Sequence, residues 1–284
     1  MANTMRKTIF LLTAILLSSL CLSAQTKRAL VIGLGEQQDK SWAKIHGDND
    51  VSYVRAMLEC AGYSEIDTLV NKQATKEGIV VAFQNMTNKC NNGDMVYIHF
   101  SGHGQQITDV DGDEEDGWDE AWIPYDAYFR YNEQKYRGEN HLIDDEINVL
   151  LTNIKEKIGS SGAMLVVIDA CHSAHATSGI DTDGAIRGAR DRFVIPISEK
   201  GHAEKGSEQW LTLSACEQSY QQCKELKTPQ VGCLTYALTV VSEKADVSYN
   251  ALVGFVHKSV STKQTPMLAG EDNVNYDLSI FFKP

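Results

Sequence analysis

Residues 95–104 read MVYIHFSGHG and residues 164–173 read MLVVIDACHS. Each is a short apolar run that stops abruptly at small and polar residues, the pattern of a buried parallel strand whose carboxyl end opens onto a functional edge. Working outward, the strand pattern is expected at 95–100 and 164–168, with two further strands at 27–32 and 209–213. Helical periodicity occupies 48–61, 75–90, 144–158 and 233–244. Thr75 and Asp144 stand where N-caps belong, and Gly62, the Asn91-Asn92-Gly93 turn and Gly159 stand where helices close. Strand alternating with helix predicts an α/β fold, a three-layer sandwich with a mainly parallel central sheet and helices on both faces. Ligands on such sheets collect beyond the carboxyl ends of the strands. His103 and Cys171 both fall there.

The first residues read as an export signal. Arg6 and Lys7 precede an apolar run from 9 to 22, and Ala24 ends it just before Gln25. That run is too short and too near a small-residue cleavage site for a membrane span, so residues 1–24 are expected to be a signal peptide. Lipidation at Cys21 is the lesser alternative, because the large Leu20 precedes it. The expected mature chain, 25–284, is one exported domain, periplasmic or secreted, with no membrane attachment once the signal is removed. The formal net charge is −12, and loss of Arg6 and Lys7 makes the mature part more acidic still. Nucleic acid is excluded as a partner, since phosphate neutralisation needs clustered Lys and Arg. Six cysteines lie beyond the signal: Cys60, Cys90, Cys171, Cys216, Cys223 and Cys233. Their irregular spacing, in a chain long enough to build its own core, predicts few or no disulfides. The polar stretch 174–206 reads as a long loop inside the domain, of the functional or cleavable kind.

A thiol and an imidazole at neighbouring strand ends are the minimal set for nucleophilic acyl transfer. The histidine holds the thiol proton, raises the thiolate fraction and later protonates the leaving amine. Cys171 is the candidate nucleophile and His103 its acid-base partner. Glycines on both sides of His103 allow close backbone approach, and the backbone N–H groups of Gly104 and Cys171 are candidates for an oxyanion hole.

With those residues in view, Ser101-Gly102-His103-Gly104 followed by Asp169-Ala170-Cys171-His172-Ser173 resembles the metacaspase branch of the caspase-like cysteine peptidases. Gly47-Asp48-Asn49-Asp50-Val51, Gly117-Trp118-Asp119-Glu120, Ile123-Pro124-Tyr125-Asp126, Leu142-Ile143-Asp144-Asp145, Leu213-Ser214-Ala215-Cys216 and Leu234-Thr235-Tyr236-Ala237 fit the same family in the same order. The resemblance implies a caspase-like fold and an endopeptidase that acts generally as a monomer on peptide or protein substrates. It implies cleavage after Arg or Lys, with Asp50 and Asp169 receiving the basic side chain; Asp48 is an alternative to Asp50. The Gln-Ala-Cys signature of animal caspases is absent, so a preference for aspartate is not implied. No cofactor is required for the chemistry. Calcium is a possible activator: the carboxylate-dense loop 109–120 suits a hard cation, and by resemblance the ligands are Asp119, Asp144 and Asp145, with Asp181 as a further one. The alternative is a solvated acidic loop.

Arg187, Arg190 and Arg192 cluster in the long loop, where a peptidase that accepts arginine can cut itself as a zymogen; the alternative is an exposed basic patch. Two rival functions stay open. One is a non-catalytic caspase-like binding or regulatory module. The other is a zinc-dependent hydrolase using His99, His103, Cys171, His172 and His175. That second rival is weakened because residues four apart on a strand do not converge.

Overall fold

The computed structural model describes residues 25–171, 185–189, 191–197, 201, 203, 209–216, 223–259, 264–270 and 277–284. The expected signal peptide, with Cys21, lies outside them, as do Asp181, Arg190, His172 and His175. Among the described residues the chain runs β1 (Lys27–Gly33), α1 (Gly47–Cys60), β2 (Glu65–Val70), α2 (Lys76–Lys89), β3 (Met95–Ser101), β4 (Gly104–Thr108), β5 (Trp118–Trp122), β6 (Leu142–Ile143), α3 (Asp144–Ile158), β7 (Ala163–Asp169), β8 (Leu211–Ser214), α4 (Cys233–Ser242), α5 (Tyr249–Ser259), β9 (Met267–Ala269) and α6 (Ser279–Phe282).

The central sheet has the order β2-β1-β3-β7-β8-β9, parallel throughout except for β9. Alternate residues of each strand feed opposite faces, the period-two rule of a pleated strand. Ala29, Val31, Tyr97, Leu165 and Val167 join Val54, Leu58, Leu234, Leu238, Leu252 and Phe281 on one side. Leu30, Ile32, Val96, Ile98, Phe100 and Val166 join Ile79, Phe83, Leu151 and Ile154 on the other. Helices thus cover both faces, and the three-layer architecture expected from the alternating pattern is what forms.

Several boundaries differ from the expected ones for local reasons. Thr75 does cap α2, its hydroxyl accepting from Gly78 N at 3.0 Å. Asp144 does not cap α3: Ile143 holds that position and Asp144 is the first helical residue. Glu146 reaches back to the Ile143 N–H, and three acidic side chains occupy the positive end of the helix dipole. Gly159 closes α3 at φ 64°, and Gly62, at φ 82° just past the cap Ala61, closes α1 as expected, with Gly62 N donating to Glu59 O at 3.2 Å and Tyr63 N to Leu58 O at 3.0 Å. The strand expected at 209–213 forms at Leu211–Ser214. Of the six cysteines, Cys216 and Cys223 pair as a disulfide, within the expectation of few.

The pattern did not reveal a second, antiparallel sheet, β4-β5-β6, that stands beside the main one. Its small core gathers Trp42, Ile107, Ala121, Ile123, Tyr136 and Phe193. Trp122 of β5 lies against Phe100 of β3, rings stacked at 4.5 Å and 9°, so one aromatic pair ties the two sheets together just before His103. Truncating Phe100 to alanine in a Cys171→Ala background removes that stack and leaves a buried void. Urea unfolding is expected to show a loss of about 3–5 kcal/mol.

Candidate active site

The two motif strands, β3 and β7, are parallel neighbours in full register, and their last pair is Ser101 opposite Asp169. Two residues further along each lie His103 and Cys171, so equal overhang from matched strand ends brings them to one edge of the sheet. Gly102 N donates to Asp169 O at 3.4 Å and extends the pairing one step past the strands.

His103 is fully buried. Its Nε2 lies 2.8 Å from the carbonyl of Ala43, and a carbonyl only accepts, so Nε2 carries the proton. Nδ1 then keeps its lone pair, and it is buried with no hydrogen-bond partner. Trp42 lies beside the imidazole at 5.1 Å. Burial pushes the His103 imidazole down to about 4, against the hydrogen bond it donates to the Ala43 carbonyl, which favours its charge. At pH 7 it is therefore neutral with a bare Nδ1, the state required of a base toward a thiol. The orienting carbonyl of Ala43 had no signature in the sequence, because any residue supplies one.

Cys171 is buried, and its backbone N–H donates to the carbonyl of Arg187 at 2.6 Å. Residues 185–189 thread the site as an extended segment. Arg187 N donates to Cys223 O at 3.0 Å, Glu225 N to Ala185 O at 3.0 Å, and Ile186 bridges Lys224 antiparallel. Beyond the thiol, Gly188 bridges Cys171 and Ala189 N donates to Gly104 O at 3.1 Å. A Cβ on Gly188 would lie 2.7 Å from Cys171 O and 3.1 Å from Cys171 Cβ, so the peptide between 187 and 188 passes close against the nucleophile because residue 188 has no side chain.

The side chain of Arg187 is fully buried. Nη1 lies 2.6 Å from Asp50 Oδ2 and 3.5 Å from Asp169 Oδ1, and Nε donates to Glu225 Oε1 at 3.0 Å. Ser101 Oγ donates to Asp50 at 2.7 Å, and Gly232 N to Asp50 Oδ1 at 3.1 Å. Thr235 N donates to Asp169 Oδ2 at 2.8 Å, with the Thr235 hydroxyl between the two carboxylates at 3.0 and 2.7 Å. Burial raises the Asp169 carboxyl above the usual range, against the pull of Arg187. Burial also works against the charge of Arg187, yet Asp50 and Asp169 more than offset it and hold the guanidinium protonated.

The structure thus brings together Cys171, His103, Gly104, Asp50, Asp169 and Arg187. Asp48, the alternative to Asp50, turns away and accepts from Asn71 at 3.2 Å. The three loop arginines separate: Arg192 stacks over Trp118 at 4.4 Å and bonds Gln106 at 2.9 Å, away from the thiol, and Arg190 lies outside the described residues. The alternative reading of an exposed basic patch does not hold at Arg187, which is interior because buried carboxylates demand a cation. Glu225 and Thr235 were missed as pocket residues, being distant in sequence and ordinary in type.

Asp119, Asp144 and Asp145 each offer an oxygen within 4.8 Å of the others, and Asp109, Asp111 and Asp113 form a second such group with Asp119. Asp119 Oδ1 and Asp144 Oδ1 are buried with no hydrogen-bond partner. Burial, then neighbouring carboxylates, pushes Asp119 up to about 7 and Asp144 up to about 8. Hard oxygen donors so placed fit a calcium-like cation. Among the described residues zinc finds no comparable set. The ring of His99 is spent on Tyr97 OH at 3.0 Å, Ser101 at 3.0 Å and Thr235 at 3.2 Å. The sulfurs of Cys171, Cys216 and Cys223 lie within 4.8 Å of one another, but the last two are joined.

A family model described as metacaspase, peptidase C14 domain, matches residues 27–179. Metacaspase-1A of Neurospora crassa is 32% identical over 158 residues, covering 52% of this chain and 32% of that protein. Metacaspase-1B of Aspergillus fumigatus is 31% identical over 161 residues, covering 53% and 36%. The chain spans about a third of the length of these curated relatives. Among solved structures, protein GSU0716 of Geobacter sulfurreducens superposes with TM-score 0.61 at 23% identity, covering 91% of this chain and 97% of that one. Caspase-1 of Spodoptera frugiperda superposes with TM-score 0.56 at 15% identity, covering 91% and 90%. At those identities the likeness is one of fold, and the fold is caspase-like. With the family model spanning both motif strands, the chain belongs to the metacaspase family, peptidase C14.

Proposed function

We propose that the chain is a cysteine endopeptidase that cleaves after arginine or lysine and first processes itself at the bond between Arg187 and Gly188. One observation carries this reading: a buried arginine fills a carboxylate pocket while its own carbonyl accepts from the N–H of Cys171. That is how a peptidase holds the residue before the scissile bond. The neighbouring backbone pairing with 223–225 supplies the remaining anchorage, in the manner of strand addition.

In the proposed reaction Nδ1 of His103 takes the thiol proton, and the Sγ of Cys171 attacks the carbonyl carbon. The oxyanion is stabilised by the N–H groups of Cys171 and Gly104. The imidazolium, oriented by Ala43, gives its proton to the departing amine, and water then releases the acyl group from sulfur. Charging His103 is costly in its buried site, and the developing thiolate beside it offsets that cost. The carboxylates of Asp50 and Asp169 favour a cationic side chain and repel an acidic one. Asp119, Asp144 and Asp145 are the residues that would hold calcium, which when bound would neutralise their mutual repulsion and stiffen the loop leading into α3. Peptide or protein substrates are the expected partners of an exported, monomeric enzyme.

Three outcomes are expected. Purified mature protein hydrolyses fluorogenic peptides ending in Arg or Lys, leaves those ending in Asp intact, and loses activity by at least about a thousandfold in Cys171→Ala. Incubated alone, the wild type yields a fragment beginning at Gly188 by N-terminal sequencing; Cys171→Ala stays whole and Arg187→Gln is not cut there. Chelation with EDTA abolishes activity and calcium restores it where magnesium does not, since the smaller ion resists giving up its water.

A further inference from the structure

The three carboxylates around Arg187 do not play the same part. Asp50 and Asp169 meet the terminal nitrogen Nη1, at 2.6 and 3.5 Å, a place where a lysine ammonium also serves. Glu225 instead accepts from Nε–H at 3.0 Å. Lysine has no donor at that position along its side chain, only methylene carbons. We propose that Glu225 is a specificity residue that makes this pocket select arginine over lysine. This rests on reading the pocket as the one that receives the substrate's basic side chain.

Glu225 is built to read that one atom. Its side chain is almost wholly buried, so with lysine bound water would not readily replace the missing donor. The backbone N–H of His46 donates to Oε1 at 2.7 Å and the ring Nδ1 to Oε2 at 2.7 Å, which fixes the carboxylate plane from the entry to α1. The backbone N–H of Glu225 holds Ala185 O at 3.0 Å, so the residue that reads the side chain also registers the main chain two positions before it. A site that hydrogen-bonds a specific N–H rejects an analogue lacking it, because its own buried acceptor is left short of a partner. A hydrogen bond to a charged group of this kind corresponds to roughly 10- to 100-fold discrimination.

Two measurements test this. The first needs no catalysis. In the Cys171→Ala background Arg187 itself occupies the pocket, so Arg187→Lys asks the protein to hold lysine there. It is expected to lower the Tm by about 3–10 °C, and by much less when Glu225→Gln is also present. Equal losses with and without Glu225 would overturn the proposal. The second compares peptides differing only in a terminal Arg or Lys. Wild type is expected to favour Arg by roughly 10- to 100-fold in kcat/KM, and Glu225→Ala to bring the ratio within about threefold by lowering the Arg value alone. Parallel loss on both peptides, or a wild type that cuts both equally, would sink it. Should neither peptide be cleaved, the endopeptidase reading fails, while the stability comparison still decides whether Glu225 discriminates.

Discussion

Carboxylates buried together at a protein interior require a cation, and in this chain the cation is Arg187. Asp50 comes from the first turn of α1, Asp169 from the end of β7, Glu225 from the segment before α4, and all three are held by donors from Ser101, Thr235, Gly232 and His46. Removing one member of such a cluster leaves an uncompensated buried charge, at a cost of about 3–5 kcal/mol. The pocket therefore needs the guanidinium of Arg187 to balance its charge. The position of residues 185–189, the closeness of the 187–188 peptide to the thiol and the pairing with 223–225 all follow from that requirement.

The same economy governs the dyad. His103 is buried, neutral and oriented by a backbone carbonyl, with its unprotonated nitrogen kept from other partners. A backbone orienter fixes the tautomer without adding a negative charge, and burial outweighs the pull of the Ala43 carbonyl and of Glu225 toward the protonated form. Buried carboxylates gather in the pocket around Arg187 and, separately, around Asp119 of β5.

Both motif strands, their carboxyl ends and the two chemical residues were legible because a buried parallel strand writes itself as a continuous apolar run. Helices α1 to α4 were legible from period and caps, to within a residue or two, whereas α5 and α6 were not anticipated. The second sheet was not: β4 and β5 carry Gln105, Gln106, Asp119 and Glu120, polar residues that no alternation rule assigns to a strand. β2, half-buried at the sheet edge, has the same weakness. Among the loop arginines, sequence alone treated Arg187, Arg190 and Arg192 alike, since nothing local distinguishes a guanidinium that meets three carboxylates from one that stacks on Trp118.

What the amino-acid order determined alone was the strongly periodic part: the buried strands β1, β3, β7 and β8, helices α1 to α4, and where the thiol and imidazole emerge, because those depend on neighbours a few residues away. Tertiary structure alone decided which arginine enters the pocket, that Glu225 joins Asp50 and Asp169, and that the Ala43 carbonyl orients His103. Those partners lie tens to nearly two hundred residues apart, and a desolvated charge is satisfied by whatever the completed fold places within three ångströms, a relation that no local pattern encodes.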